Sequence, residues 1–138
     1  MTSLVLRGSC LCGAVRFEVT GEPQRFYHCH CSRCRKATGT GHASNLFLQP
    51  GSLRWLDGEA LVRCFKVPEA KRFTNCFCST CGSRVPRQVK DTDMVIIPAG
   101  SLDTEPPIKP QARIFWESRA SWSCGEQSLP VHAEYQAT

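Results

Sequence analysis

The order of apolar and polar residues along the chain predicts a protein built mainly from β-strands. Over residues 13–19 the two kinds alternate, which places Val15, Phe17 and Val19 on one face of a strand and Glu18 on the other. Shorter apolar stretches bounded by glycine, proline or aspartate predict further strands. These lie at residues 25–28, 42–48, 53–56, 60–67, 71–78, 93–98 and 112–117.

Turn and cap residues divide these stretches. The Gln-Pro-Gly-Ser sequence at residues 49–52 is expected to end one strand, and Asp57-Gly58 to turn a hairpin. A short helix is expected from Ser32, as its N-cap, to Gly39, in the left-handed C-terminal position. The predicted fold class is therefore all-β with short helical pieces, in a single zinc-binding domain spanning residues 1–138.

Composition narrows the class of protein. The 138 residues are 41% hydrophobic and 21% charged, as in ordinary globular domains. No apolar run approaches the roughly 18–20 residues of a membrane span, and the N-terminus lacks a secretory signal pattern. We therefore expect a cytoplasmic protein, in which the ten cysteines are reduced and suggest metal binding before disulfides.

The net charge of +5 is not by itself a sign of nucleic-acid binding if the cysteines bind zinc. Seven thiolates around two Zn²⁺ ions would lower the net charge to about +2. The excess of basic residues then compensates for thiolates, and no run of five or more basic residues occurs. These features argue against a nucleic-acid partner.

Most cysteines fall into three groups with metal-ligand spacing. Cys-x-x-Cys turns and Cys-x-Cys pairs at strand ends point their sulfurs to one side, where a tetrahedral zinc can bind both. The ligands divide into two sets by number. Four of them, Cys10, Cys12, Cys78 and Cys81, form a closed structural site. Three others, Cys29, Cys31 and Cys34, leave the fourth position open, which is the pattern of a catalytic zinc.

An alternative is that the protein itself closes the second site. Candidate fourth ligands are His28, His30, His42, Cys64, Cys76 and Cys124. A closed site would make the chain a non-enzymatic zinc module that binds a protein or nucleic acid. We expect the last three cysteines to be buried apolar side chains, with a redox-sensing thiol as a weaker interpretation.

Three motifs carry a family resemblance. Residues 8–17 (GSCLCGAVRF), 29–39 (CHCSRCRKATG) and 77–83 (FCSTCGS) resemble, in order, those of the glutathione-dependent formaldehyde-activating enzyme family. Residues 99–103 (AGSLD), 114–119 (IFWESR) and Leu129-Pro130 are similar to its later elements. The resemblance covers nearly the whole chain.

The resemblance implies a zinc-stapled β-tent fold, shared with the small Rab-binding zinc proteins, and two zinc ions assigned as above. It implies a carbon–sulfur lyase or synthase that joins glutathione, as co-substrate, to small aldehydes such as formaldehyde. The family also includes centromere protein V, which is consistent with the non-enzymatic alternative. The oligomeric state is left open.

Two mechanistic expectations follow for the second site. The open zinc position either deprotonates the incoming thiol or polarises the aldehyde oxygen, and the sequence leaves both open. Glutathione carries two carboxylates, and the cations nearest the three-cysteine motif are Arg33, Arg35 and Lys36. We expect these three side chains to bind the carboxylates, and His30 to face away from the metal.

Overall fold

A computed structural model describes residues 4–123 and 129–136 of the chain. These residues form a mostly β-sheet structure with short helical pieces, which confirms the predicted class. The strands are β1 Leu4–Ser9, β2 Arg16–Cys29, β3 Ala43–Asp57, β4 Val62–Lys66, β5 Thr74–Cys78, β6 Arg87–Gln88, β7 Val95–Pro98 and β8 Ala112–Ile114. The helix α1 is Ser32–Thr38, and short 3₁₀ helices lie at Glu59–Leu61, Ala99–Ser101 and Trp116–Ser118.

Two long strands organise the main sheet. Its order is β1-β2-β3-β7-β6, all antiparallel, and β8 runs parallel to the second half of β2. The hairpin of β4 and β5 forms a second, two-stranded sheet. No helix within the described residues is long and apolar enough to cross a membrane.

The core lies on one face of the main sheet. The predicted alternation is confirmed within β2, because Phe17 and Val19 are fully buried. Val15 is also fully buried, but it precedes β2, which begins at Arg16 and not at the predicted residue 13. Phe17 and Val19 pack with six further buried side chains: Leu6, Phe26, Leu46, Leu48, Val95 and Ile97. Since neighbouring residues of a strand point to opposite faces, the other face of the same sheet presents a different set of side chains. That second face borders the candidate site.

The expected turn at residues 49–52 is wrong. Strand β3 continues through this stretch, with Gly51 paired to Gly21 and Leu48 paired to Pro23. The pairing register shifts on both sides of Pro23, so the two strands bend together at an irregularity. A proline is tolerated at such a point because no ladder hydrogen bond requires its missing N–H.

The expected hairpin around Asp57-Gly58 is also wrong. Residues 53–55 and Asp57 pair with β2, whereas β4 pairs with β5. Gly58 does take a positive φ of 78°, but it begins the 3₁₀ helix Glu59–Leu61. That helix turns the chain away from β3 before β4 begins.

The start of α1 and the end of β8 differ from the sequence-based prediction. The N-cap of α1 is Cys31, whose sulfur accepts the Cys34 N–H at 3.3 Å, and Ser32 is the first helical residue. Gly39 ends the helix in the left-handed conformation, as predicted. Strand β8 ends at Ile114, before the predicted residue 117, because Phe115 adopts a positive φ of 54°.

Candidate metal centres

The first cluster of sulfurs joins the end of β1 to the end of β5. Cys10 and Cys12 follow β1, Cys78 ends β5, and Cys81 lies in the turn after it. The four Sγ atoms all lie within 4.8 Å of one another. The Cys10–Cys12 distance is 3.5 Å and the Cys12–Cys78 distance 4.0 Å. Tetrahedral zinc with Zn–S bonds of about 2.3 Å needs sulfurs roughly 3.8 Å apart, so the donor set fits this metal.

Tight turns hold these four sulfurs. The Gly13 N–H donates to the Cys10 carbonyl at 3.1 Å, and the Gly82 N–H to the Cys78 carbonyl at 2.7 Å. Both glycines have φ near 80°, a conformation that favours glycine. Hydrogen bonds with the Ser83 side chain and backbone lower the pKa of Cys81 to about 5. The site therefore favours a thiolate in the absence of any ion.

The first cluster is also part of a hydrophobic core. Cys78 is fully buried, Cys10 is 5% exposed, and both pack with Val15 and Val85. Cys12 is exposed and Cys81 partly exposed, but four protein sulfurs already fill the positions of a tetrahedral metal. This is the arrangement of a structural metal site.

The second cluster forms where β2 ends and α1 begins. Cys29 is the last residue of β2, Cys31 is the N-cap of α1, and Cys34 lies one turn into the helix. Their sulfurs lie within 4.8 Å of one another. Cys29 and Cys34 are buried, and Cys31 is partly exposed. Because positions three apart face the same side of a helix, the cap geometry directs the sulfurs of Cys31 and Cys34 toward that of Cys29.

The three sulfurs share protons unequally. A hydrogen bond with the Cys34 thiol lowers the pKa of Cys29 to about 6, and the same bond raises the pKa of Cys34. At neutral pH the cluster therefore already holds negative charge. Three thiolate-forming sulfurs at this spacing fit zinc, with one tetrahedral position left over.

The histidines do not complete the second cluster. Among the described residues, no histidine or acidic oxygen lies within 4.8 Å of all three sulfurs. His28 stacks on His42 with ring centroids 4.0 Å apart, and His30 contacts Trp116 edge-on at 5.1 Å. His30 is 2% exposed, and its burial, followed by the charge of His42, lowers its pKa. His30 contacts the rings of His42 and Trp116. It is not among the residues that line the cavity beside the second cluster, which is described below.

The remaining cysteines behave differently from expectation. Cys64 and Cys76 face each other across the β4–β5 hairpin and form a disulfide. The expectation that all ten cysteines are reduced is therefore wrong for this pair. Cys76 is buried, as predicted, but Cys64 is exposed, so the prediction of burial is wrong for Cys64. The pairing was missed because strand register, which brings the two together, cannot be obtained from their spacing. Cys124 lies outside the described residues.

A cavity of about 440 Å³ opens beside the second cluster. Its volume is within the range of roughly 300–1,000 Å³ found for small-molecule sites. All three cysteines line it, and the apolar part of the wall is formed by Phe47, Phe73, Ile96, Ile114 and Phe115. The cavity therefore gives an outside molecule access to the three-cysteine cluster.

The cations of this cavity are only partly those expected. Arg33 lines it, whereas Arg35 and Lys36 lie on α1 outside its wall. The two further cations in the wall are Arg84 and Arg87, which sequence reasoning missed. Their only sequence signal is the position of two arginines around the buried pair Val85-Pro86, directly after the third cysteine motif.

Comparison with known proteins agrees with this arrangement. The family model for the glutathione-dependent formaldehyde-activating enzyme matches residues 5–118. A Halomonas elongata protein, whose name gives it provisionally as such an enzyme, is 32% identical over 132 residues, which cover 86% of this chain and 80% of that protein. A crystal structure of a Rhodobacter sphaeroides protein has a similar fold, with a TM-score of 0.53 and 22% identity, and the match covers 78% of this chain and 98% of the other. The chain belongs to the glutathione-dependent formaldehyde-activating enzyme family.

Proposed function

We propose that the protein is a zinc-dependent carbon–sulfur lyase and synthase, which joins the glutathione thiol to a small aldehyde such as formaldehyde and cleaves the same adduct. The observation that carries the proposal is the second cluster. Three sulfurs face an open cavity, and no fourth ligand from the described residues joins them. Family membership supports the same reaction class.

The two clusters have different roles in this proposal. Cys10, Cys12, Cys78 and Cys81 hold a structural zinc that connects β1 to β5. Cys29, Cys31 and Cys34 hold the reactive zinc. When bound there, the metal supplies Lewis acidity, which lowers the pKa of a coordinating thiol. A zinc-stapled β-tent fold, a single domain over residues 1–138 and a cytoplasmic location belong to the same proposal.

The chain's own residues position the reactants. Phe47, Phe73 and Ile114 form the apolar part of the wall beside the three cysteines, where a small aldehyde would lie. The Cys34 N–H donates to the Cys31 sulfur at 3.3 Å, which helps to orient the sulfurs of this cluster. Of the three cations expected to bind glutathione carboxylates, we retain Arg33, because it lines the cavity.

The proposed reaction is an addition with no change of oxidation state. A bond forms between the thiol sulfur and the aldehyde carbon, and the carbon–oxygen π bond breaks. The proton that leaves sulfur finishes on the former aldehyde oxygen. The reverse reaction returns that proton to sulfur and releases the aldehyde.

The experiment compares exchange rates, because this addition also occurs without a catalyst. ¹³C exchange spectroscopy on labelled formaldehyde and glutathione measures interconversion between the free aldehyde and its adduct. We expect the zinc-loaded protein to increase the rate at unchanged equilibrium concentrations, and the Cys31→Ser variant to lose most of the increase. Equal exchange rates with and without the zinc-loaded protein would contradict the enzymatic proposal and leave the non-enzymatic module.

A further inference from the structure

Two arginines in the cavity wall have no acidic partner among the described residues. Arg84 and Arg87 are each partly buried, and none of the ion pairs in this part of the chain includes either of them. The Arg84 Nε–H donates to Asn75 Oδ1 at 2.7 Å, which fixes the guanidinium in place. Its other N–H groups make no side-chain hydrogen bond to the described residues, so a ligand can use them.

The pair is costly to keep without an anion. Burial lowers the pKa of both arginines, and the positive charge of Arg84 lowers that of Arg87 further. Both guanidinium groups stay charged at neutral pH, because arginine loses its proton only far above it. Two adjacent, partly desolvated cations are destabilising unless an anion compensates them. A ligand with negative charge would supply that compensation.

Strand register places Arg87 opposite the apolar wall. Arg87 pairs with Ile96, and Ile96 pairs with Phe47, so the three side chains form one row across β6, β7 and β3. The row lies on the face of the sheet opposite the core. The cavity therefore extends from sulfurs, past apolar rings, to cations.

A second cavity of about 400 Å³ continues from this cationic end. The two cavities share Thr74 and Arg87. The second is lined by Lys66, Lys71, Arg72 and Lys90, with Asp91 as its one acidic lining residue within the described part of the chain. Lys66 is held by the Val67 and Ala70 carbonyls, which leaves the other three cations exposed to solvent.

We propose that Arg84 and Arg87 bind a carboxylate of the thiol substrate, and that the second cavity receives another carboxylate of the same molecule. Glutathione, the thiol of the proposed function, has two such carboxylates, and its sulfur would lie at the three-cysteine cluster. Arginine suits this role because its fork of N–H groups matches a carboxylate. The inference rests on the proposed function and assigns specificity to residues outside the cysteine motifs.

The test uses a ligand that cannot react. S-methylglutathione keeps both carboxylates of glutathione but has no thiol, so its binding does not depend on turnover. Titration calorimetry on the zinc-loaded protein compares this ligand with its dimethyl ester. We expect the diester to bind at least about 30-fold more weakly to the wild type, since two charged contacts are lost.

Substitutions then locate the contacts. Arg87→Gln should weaken binding of S-methylglutathione about tenfold or more and leave the affinity for the diester unchanged. Arg84→Gln is the corresponding substitution at the other arginine. If circular dichroism shows that this variant does not fold, Arg84→Lys replaces it, because lysine retains the charge but lacks the forked N–H groups. Arg25→Gln is the matched control, because Arg25 lies in the same cross-strand row, paired with Phe47, but outside both cavities.

Two results would overturn the inference. One is absence of binding to the wild type at millimolar S-methylglutathione. The other is an Arg87→Gln variant with unchanged affinity, or one that loses affinity for acid and diester equally. The exchange rates between free aldehyde and adduct distinguish failure of the proposed function from failure of this inference. If the zinc-loaded protein does not accelerate the exchange with any thiol, the proposed function is contradicted. Acceleration by the Arg87→Gln variant with an unchanged KM for glutathione contradicts only the inference.

Discussion

At the scale of single residues, two cysteines with the same proposed ligand role have different surroundings. Cys78 is fully buried and packs with Val15 and Val85 in a hydrophobic cluster. Cys31 is partly exposed, caps α1 and lines the cavity. Loss of a ligand in a packed core removes metal and packing together, whereas loss of a ligand beside a cavity removes mainly the metal.

This difference predicts separable effects of Cys31→Ser and Cys78→Ser. We expect the first variant to keep about one zinc per chain and a cooperative thermal transition, with activity lowered at least about 100-fold. We expect the second to be largely unfolded at 25 °C, because metal binding there is folding free energy. Elemental analysis and thermal melts measure both. Equal destabilisation by the two substitutions would contradict the division into structural and reactive sites.

The ligand groups could be anticipated from sequence because their signal is local. Cys29, Cys31 and Cys34 are close in space as well as in sequence, since a strand end and one helical turn separate them. The contribution of Arg84 and Arg87 could not be anticipated, because it depends on the pairing of β6 with β7. The same holds for the disulfide between Cys64 and Cys76.

At the scale of elements, β2 and β3 are longer than their sequence patterns suggest. Proline and glycine at residues 49–52 give a local turn signal, but pairing along both strands outweighs it. The two register irregularities beside Pro23 accommodate the bend. Alternation of side chains was reliable over residues 15–19, where Val15, Phe17 and Val19 are buried and the residues between them are exposed or partly exposed.

Gly58 connects β3 to the β4–β5 hairpin, and its replacement tests that connection. Its φ is 78°, and an added Cβ would meet the Ala14 carbonyl oxygen. We expect Gly58→Ala to lower the free energy of unfolding by about 3 kcal/mol or more, from strain and overlap together. Gly39→Ala is the matched control, with a φ of 73° and nothing within 4 Å of an added Cβ. It should cost only about 1–2 kcal/mol in urea denaturation; equal losses would contradict the close contact.

The Cys64–Cys76 disulfide should stabilise the hairpin of β4 and β5. It closes a loop with a sequence separation of 12 residues, for which the chain-entropy model gives about 3 kcal/mol. We expect Cys64→Ala to lower the free energy of unfolding by about 2–3 kcal/mol in oxidised protein. Mass spectrometry after alkylation supplies the control, since peptides with Cys64 and Cys76 should take up label only after reduction. Labelling of both without a reductant would contradict the pairing.

At the scale of the whole molecule, the first metal cluster connects parts of the chain that are far apart in sequence. Cys10 and Cys78 are 68 positions apart, yet both belong to one four-sulfur cluster and one core. The second cluster contacts solvent through the cavity. The two sites should therefore respond to a chelator at different rates.

Chelation should remove the two ions in two phases. A strong chelator is expected to take the metal of Cys29, Cys31 and Cys34 first, with activity lost and circular dichroism nearly unchanged. Loss of the ion at the first cluster should coincide with unfolding, because two of its ligands, Cys10 and Cys78, are part of a hydrophobic core. Zinc release followed with a chromogenic indicator, together with circular dichroism, measures both phases. Release of both ions in a single phase that coincides with unfolding would contradict independent sites.

The central claim is that zinc at the second cluster has three protein ligands and one exchangeable position. A crystal structure of freshly purified protein, with anomalous scattering measured on both sides of the zinc edge, tests it most directly. The account predicts two zinc peaks per chain, the second bound by Cys29, Cys31 and Cys34 and by one ligand from solvent. A fourth ligand from the protein at that peak, or a single peak at the first cluster, would contradict it.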